Sequence, residues 1–220
     1  MLKPVFIGAF LIAMATAAGL AWHYLRLRAA WQDYLQLRAS EIRSELYWAA
    51  GDPVIFIGDS ITEAAPLPAK ICEHPTVNGG ISGIDTLDYL SVISKIGDFG
   101  GAAIVVALGT NDARKGHGGD YAQDYRTLLK AIESRSRNLL VVGIPPIDNG
   151  RVYSAARADR IDAEIRTIAD QTGHSFIDLR SAMVSKHPMT IDGVHPSAAG
   201  YELWLKAIVT KVAAGLGCEP

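Results

Sequence analysis

The chain has 220 residues and a mass of 23.6 kDa, enough for one α/β domain plus an appendage. Hydrophobic residues make up 49% and charged residues 20%, the balance of a packed globule. The net charge of -2 and pI of about 6.3 exclude the basic face that a nucleic-acid partner requires.

The appendage comes first. Pro4 to Trp22 is a 19-residue run without a charge, preceded by Lys3. A helix needs roughly 20 apolar residues to span a bilayer core, so the run is long enough. It also fits a secretory signal, apolar from Val5 to Met14 with small residues at Ala15-Thr16-Ala17. Residues 1–22 are thus expected to be a signal peptide or a transmembrane anchor, with a membrane tether through residues 4–22. Lys3 and the free amine favour a cytoplasmic start, whereas Arg26 and Arg28 pull the other way. The expectation is an exported or anchored domain outside the cytoplasm.

His23 to Tyr47 reads as a second helix, because Trp31, Leu35, Ile42 and Leu46 recur at helical spacing between charges. Residues 23–50 are expected to connect anchor and domain as a stalk, a cap or a self-association helix. Gly51-Asp52-Pro53 ends this segment. The main domain is then residues 51–220.

Beyond residue 53 strands and helices alternate. Val54-Ile55-Phe56-Ile57 is apolar and β-branched, as expected of a strand buried on both faces. Residues 76–78, 102–108, 138–143 and 175–179 are the other predicted strands. Helices are predicted over 86–96, 121–134, 155–172 and 197–214, with Gly173 closing the third and Ser197 opening the last as N-cap. Hairpin signals are lacking, so the five strands should form one parallel sheet with right-handed crossovers. Ligands of such sheets bind beyond the carboxyl ends of the strands.

Four islands fall at those ends or before the last helix: Gly58-Asp59-Ser60, Asn78-Gly79-Gly80-Ile81-Ser82-Gly83, Gly109-Thr110-Asn111-Asp112 and Asp192-Gly193-Val194-His195-Pro196. Together they hold the parts of an acyl-transfer site. Ser60 follows a buried strand and starts a helix, where its backbone N–H favours negative charge. A serine hydroxyl needs a neighbouring base to become a nucleophile. His195 is the candidate base, and Asp192, three residues earlier, its orienter. Gly83 lets its N–H approach a ligand closely, and Asn111 can aim its amide at a developing oxyanion. Asp59 and Asp112 are read as holding local turns. The remaining histidines, His23, His74, His117, His174 and His187, lack such company.

The chain has no His-Glu-x-x-His, no cysteine ligand cluster and no phosphate loop, so no metal and no cofactor are expected. Cys72 and Cys218 are the only cysteines. They either pair in an oxidising compartment or remain two thiols. The loops 116–119 and 144–147 are read as surface loops; the alternative reading has the first flank the substrate cleft and the second form an acyl-side wall.

In these blocks, carrying Ser, Gly, Asn and His in order, the chain resembles the SGNH (GDSL-type) hydrolase superfamily from about Pro53 to Leu216. The resemblance implies a flavodoxin-like three-layer α/β/α fold. It implies Ser60 as nucleophile, Asp192 and His195 as the rest of a catalytic triad, and an oxyanion hole from the Ser60 and Gly83 backbone and the Asn111 side chain. The first block reads Gly-Asp-Ser-Ile-Thr and not Gly-Asp-Ser-Leu. Gly80 is a second candidate for the oxyanion glycine, with Gly83 preferred. The expected activity is hydrolysis of a small-molecule or glycan acyl ester through an acyl-serine. Transfer of the acyl group to an envelope polysaccharide, or a non-catalytic tethered binding module, are the alternatives.

Overall fold

The computed structural model describes residues 4–219, with side chains from residue 8 onward. Lys3, read above as the basic start of the apolar run, lies outside the described residues. The chain divides into two compact units, Met1–Arg38 and Ala39–Pro220.

The first unit is helical. Helix α1 runs unbroken over Pro4–Trp48, so the apolar run and the predicted second helix are one element. No glycine or proline stands between residues 20 and 50 to interrupt it. Phe10, Leu11, Ile12, Met14 and Leu20 are all exposed, and the helix is long and apolar enough to cross a membrane. Arg26 lies over the Trp22 ring at 4.9 Å and Arg28 over Tyr24 at 5.6 Å, so aromatic rings and cations mark the end of the apolar stretch.

The second unit takes in the last turns of α1, where Ala39 and Ile42 are buried and Glu45 accepts the Asn78 N–H. Its sheet contains β1 (Val54–Gly58), β2 (Lys70–Ile71), β3 (His74–Gly80), β4 (Ala103–Ala107), β5 (Leu139–Val142) and β6 (Ser175–Ile177), in the order β2-β3-β1-β4-β5-β6. All pairings among β3, β1, β4, β5 and β6 are parallel, which are the five strands expected. The sixth, β2, corrects the five-strand count. It is a two-residue antiparallel edge strand with Ile71 opposite His74. Two residues carry no alternation that a sequence pattern can register, and the turn is made by Cys72 at a left-handed φ of 56°.

Helices cover both faces. Helices α3 (Thr86–Ile96), α4 (Tyr121–Ile132) and α5 (Ala155–Thr172) bury Tyr89, Val92, Tyr125, Leu128, Ile161 and Ile165. On the other face α7 (Ala198–Leu216) buries Trp204, Ile208 and Val212 in one cluster with Phe56, Val105 and Leu140. Every residue of β1 is buried, which explains its uninterrupted apolar run. Two short helices, α2 (Ser60–Glu63) and α6 (Leu179–Ala182), complete the unit. The last strand is shorter than predicted because Asp178 leaves the sheet to cap α6, accepting the Ser181 N–H at 3.0 Å. Gly173 closes α5 in the left-handed region, and the Ser197 hydroxyl caps α7 by accepting from Gly200 N.

Cys72 and Cys218 are joined in a disulfide, with Cα atoms 6.4 Å apart and a sequence separation of 146. It ties the β2–β3 turn to the tail beyond α7. Closing so long a loop restricts the unfolded chain most of all. Replacing both cysteines by serine is expected to lower unfolding free energy by about 2–5 kcal/mol. Urea melts of oxidised wild type and the double variant measure this, and coincident curves would contradict it.

Candidate active site

Local chemistry first sets the serine. Asp59 accepts the Ile61 N–H at 2.9 Å and so caps α2, leaving Ser60 in its first turn with its N–H unclaimed by the helix. Helix α2 then turns back over the sheet, and the room for it comes from Gly58 and Gly80. A Cβ on Gly58 would collide with the Thr62 side chain, and one on Gly80 with the Glu63 backbone. Asn78 fastens the same helix from β3, donating to Thr62 O at 2.9 Å and to Glu63 O at 3.2 Å.

The histidine arrives from the loop before α7. That loop is a tight hairpin: Thr190 bridges Pro196, Ile191 N donates to His195 O, and Ser197 N donates to Met189 O. Gly193 has a φ of 85°, and a Cβ there would meet Asp148 O at 2.6 Å. The chain around 148–149 braces the turn, with Asp148 N donating to Gly193 O and the Asn149 amide to Asp192 O. Tyr201 at the start of α7 donates to Ile61 O, so the helix that follows the histidine loop is fixed to the serine-bearing one.

These constraints bring Ser60, His195 and Asp192 into one hydrogen-bonded chain. Ser60 Oγ lies 2.9 Å from His195 Nε2, and His195 Nδ1 lies 2.7 Å from Asp192 Oδ2. Asp192 Oδ1 also accepts the His195 and Val194 backbone N–H groups. The hydrogen bonds from His195, ring first, hold the Asp192 carboxyl down at about 2. An ionised carboxylate only accepts, so Nδ1 carries the proton. In the neutral ring Nε2 is then the acceptor for the Ser60 hydroxyl.

Gly83 and Asn111 flank this chain through topology. Ser60 follows β1, Gly83 follows β3 and Asn111 follows β4, the two strands paired to β1 on either side. Gly58 stands opposite both Gly80 and Ala107, so the three loops leave the sheet at one level. Asn111 is buried; its amide donates to Ile84 O at 2.8 Å and its carbonyl faces the Tyr153 hydroxyl at 3.5 Å. One amide hydrogen remains beyond the Ile84 bond. Gly83 has a φ of 79°, and its N–H has no acceptor among the described residues. The N–H of Gly80, by contrast, already donates to Asn78 Oδ1 at 2.9 Å.

Two aspartates read as local turn formers differ. Asp59 makes the local cap on α2. Asp112 reaches across to α3, accepting from Thr86 N and Thr86 Oγ1. Burial pushes both carboxyls up to about 6, in Asp112 with help from the neighbouring Asp85 charge. His117, on the 116–119 loop, sits 3.8 Å from Asp112 and 3.9 Å from Asp85. Sequence reasoning missed Asn78, Glu63 and Tyr153. Asn78 lies inside a motif block, but no spacing rule announces the other two. Among the described residues no group of three or more His, Cys, Asp or Glu is placed to hold a metal ion.

Fold and loop arrangement together are those of an α/β/α hydrolase. Residues 56–203 match the family described as GDSL-like Lipase/Acylhydrolase, and the chain belongs to that family. Comparison with curated proteins finds no match. Solved structures with the same fold include a lipase/acylhydrolase from Enterococcus faecalis, 22% identical with a TM-score of 0.60 over 73% of this chain and 95% of that one. A GDSL-like lipase from Bacteroides thetaiotaomicron is 19% identical with a TM-score of 0.61, covering 79% of this chain and 96% of its own. A catalytic mutant of an acetylxylan esterase from Geobacillus stearothermophilus is 20% identical with a TM-score of 0.58, covering 74% and 95%. At these identities the likeness speaks for the fold.

The Asp192 carboxyl should titrate near 2 in the native protein, followed by carboxyl NMR. Because that value lies below the ordinary 3.8, its contribution to stability is present above 3.8 and fades as pH falls through about 2. His195→Ala should return the titration towards the ordinary value. A wild-type titration already near 4 would contradict the hydrogen-bonded arrangement.

Proposed function

We propose that this acylhydrolase-family protein cleaves carboxylic esters through an acyl intermediate on Ser60. The observation that carries the reading is the Ser60–His195–Asp192 chain, with separations of 2.9 Å and 2.7 Å. Ser60 Oγ attacks the ester carbonyl carbon while its proton passes to His195 Nε2. Asp192 stabilises the imidazolium without taking the proton. The carbonyl oxygen becomes an oxyanion facing the N–H groups of Ser60 and Gly83 and the free amide hydrogen of Asn111. The tetrahedral adduct then collapses. The alcohol leaves with the proton from His195, and the acyl group stays on Ser60. Water repeats the sequence with His195 as base, releasing the acid and restoring the serine.

Gly83 suits the oxyanion role better than Gly80, since its N–H is free of an internal acceptor and that of Gly80 is not. The substrate class is a small-molecule or glycan acyl ester, and acetylated sugars belong in any panel because a structural neighbour is an acetylxylan esterase.

The N-terminal helix serves as a membrane tether that keeps the domain outside the cytoplasm. Its exposed apolar side chains, with Trp22, Tyr24, Arg26 and Arg28 at their end, support the tether. The Cys72–Cys218 disulfide supports an oxidising compartment. The full-length protein is expected to remain in the membrane pellet after an alkaline carbonate wash, and release into the supernatant would contradict the tether.

Ser60→Ala should abolish turnover of p-nitrophenyl acetate and of acetylated xylo-oligosaccharides with the fold intact by circular dichroism. Undiminished turnover would refute Ser60. Asn111→Ala should lower kcat by about 10²–10³-fold. An effect confined to KM would remove Asn111 from the oxyanion site.

A further inference from the structure

The loop that carries Gly83 is short and would be free to move were it held only by its ends. Ile81 N donates to Gly58 O at 3.0 Å, Ile84 O accepts from Asn111, and Thr86 is held by Asp112. Between these anchors lies Ser82, directly before Gly83. Both donors of Ser82 converge on a single atom, Oε2 of Glu63: the backbone N–H at 2.6 Å and the hydroxyl at a shorter distance. Glu63 is the last residue of α2, one turn after Ser60. Its backbone lies against Gly80, and its carbonyl accepts from Asn78. The carboxylate is therefore mounted on the same four-residue helix as the serine, and that helix is pinned from behind.

We propose that Glu63 is a positioning residue for the oxyanion site: its carboxylate holds the Ser82–Gly83 loop in fixed relation to Ser60. The inference rests on the reading of Ser60 as nucleophile and Gly83 as an oxyanion donor. An oxyanion donor contributes only if it is set in place before charge develops, since a donor that must first be ordered subtracts that cost from its effect. Hydrogen bonds to an ionised acceptor are shorter and stronger than neutral ones, so a carboxylate holds the loop better than a hydroxyl or a water molecule. Both Ser82 donors being directed to Glu63 also prevents Ser82 from offering an alternative N–H to the substrate. Glu63 needs no contact with the substrate, and it acts through Ser82.

The test measures p-nitrophenyl acetate hydrolysis by the full-length protein in detergent, alongside the affinity of phenylboronic acid, which forms a tetrahedral adduct on a serine. Glu63→Ala should lower kcat about 10–100-fold, the scale of a slightly misplaced catalytic group, with KM within about 3-fold of wild type. Boronate affinity should fall in step with kcat. Glu63→Gln, whose amide oxygen still accepts from Ser82, should recover most of the lost kcat. Ser82→Ala, which keeps the N–H bond and loses the hydroxyl bond, should fall between. The Glu63→Ala/Ser82→Ala double variant should be no worse than Glu63→Ala, because both changes remove one interaction.

Wild-type kcat in Glu63→Ala would overturn the inference, as would a lower thermal midpoint with unchanged kcat and boronate affinity. If Glu63→Ala does not fold, the remaining variants decide. Wild-type kcat in Ser82→Ala, or a Glu63→Gln protein that folds yet is as slow as Ser60→Ala, overturns it. Ser60→Ala separates the two levels: activity surviving in that variant refutes the ester-hydrolysis reading, whereas loss there with full activity in the Glu63 and Ser82 variants refutes only the positioning role.

Discussion

Close contact between helix α2 and the ends of β1 and β3 is the constraint on which the site depends. Gly58 and Gly80 face each other in register, and the space a Cβ would take at each is filled by Thr62 and Glu63. A side chain at either position would lift α2 from the sheet and carry Ser60 away from His195, which is held independently by the loop before α7. The same register aligns Ala107 with Gly58, so the loops after β3, β1 and β4 emerge side by side. Parallel pairing thus does by geometry what no single motif does: it sets a glycine loop and an asparagine on either side of a serine.

Charge in the site is sorted by burial. Asp59 and Asp112 are buried, and desolvation raises their carboxyls to about 6. Asp192 sits at the surface with half its side chain exposed and accepts three hydrogen bonds, and its carboxyl falls to about 2. One residue type therefore shifts in opposite directions within one site. The negative charge at neutral pH is firmest on the carboxylate that touches the imidazole, where the proposed chemistry requires it. The loop from Ile81 to Thr86 is meanwhile gripped from two sides, by Glu63 after β1 and by Asn111 and Asp112 after β4. Glycine permits the turn at Gly83, and these polar contacts limit it to one conformation.

Legibility in the sequence followed the range of the forces involved. The bounds of α3 and α5 were readable residue by residue, because Asp85, Ser154 and Gly173 cap them through contacts within a few positions. The buried strands were readable because burial on both faces leaves only apolar residues. Strand β2 and helix α6 were not, since each is too short to show a period and owes its form to neighbours: the β3 edge in one case, the Asp178 cap in the other. The continuity of α1 was missed because composition changes at Trp22 while the backbone does not.

The sequence alone determined the alternation of the main strands and helices, the parallel pairing of five strands, the apolar N-terminal helix and the motif blocks in which Ser60, Gly83, Asn111, Asp192 and His195 stand, because local pattern and motif order carry that information. Only the tertiary structure decided that position 60 meets position 195 across 135 residues, that Cys72 and Cys218 bond, and that Asp112 and Glu63 hold the glycine loop. Those are contacts between distant segments, and strand register and helix packing decide them, which no spacing along the chain encodes.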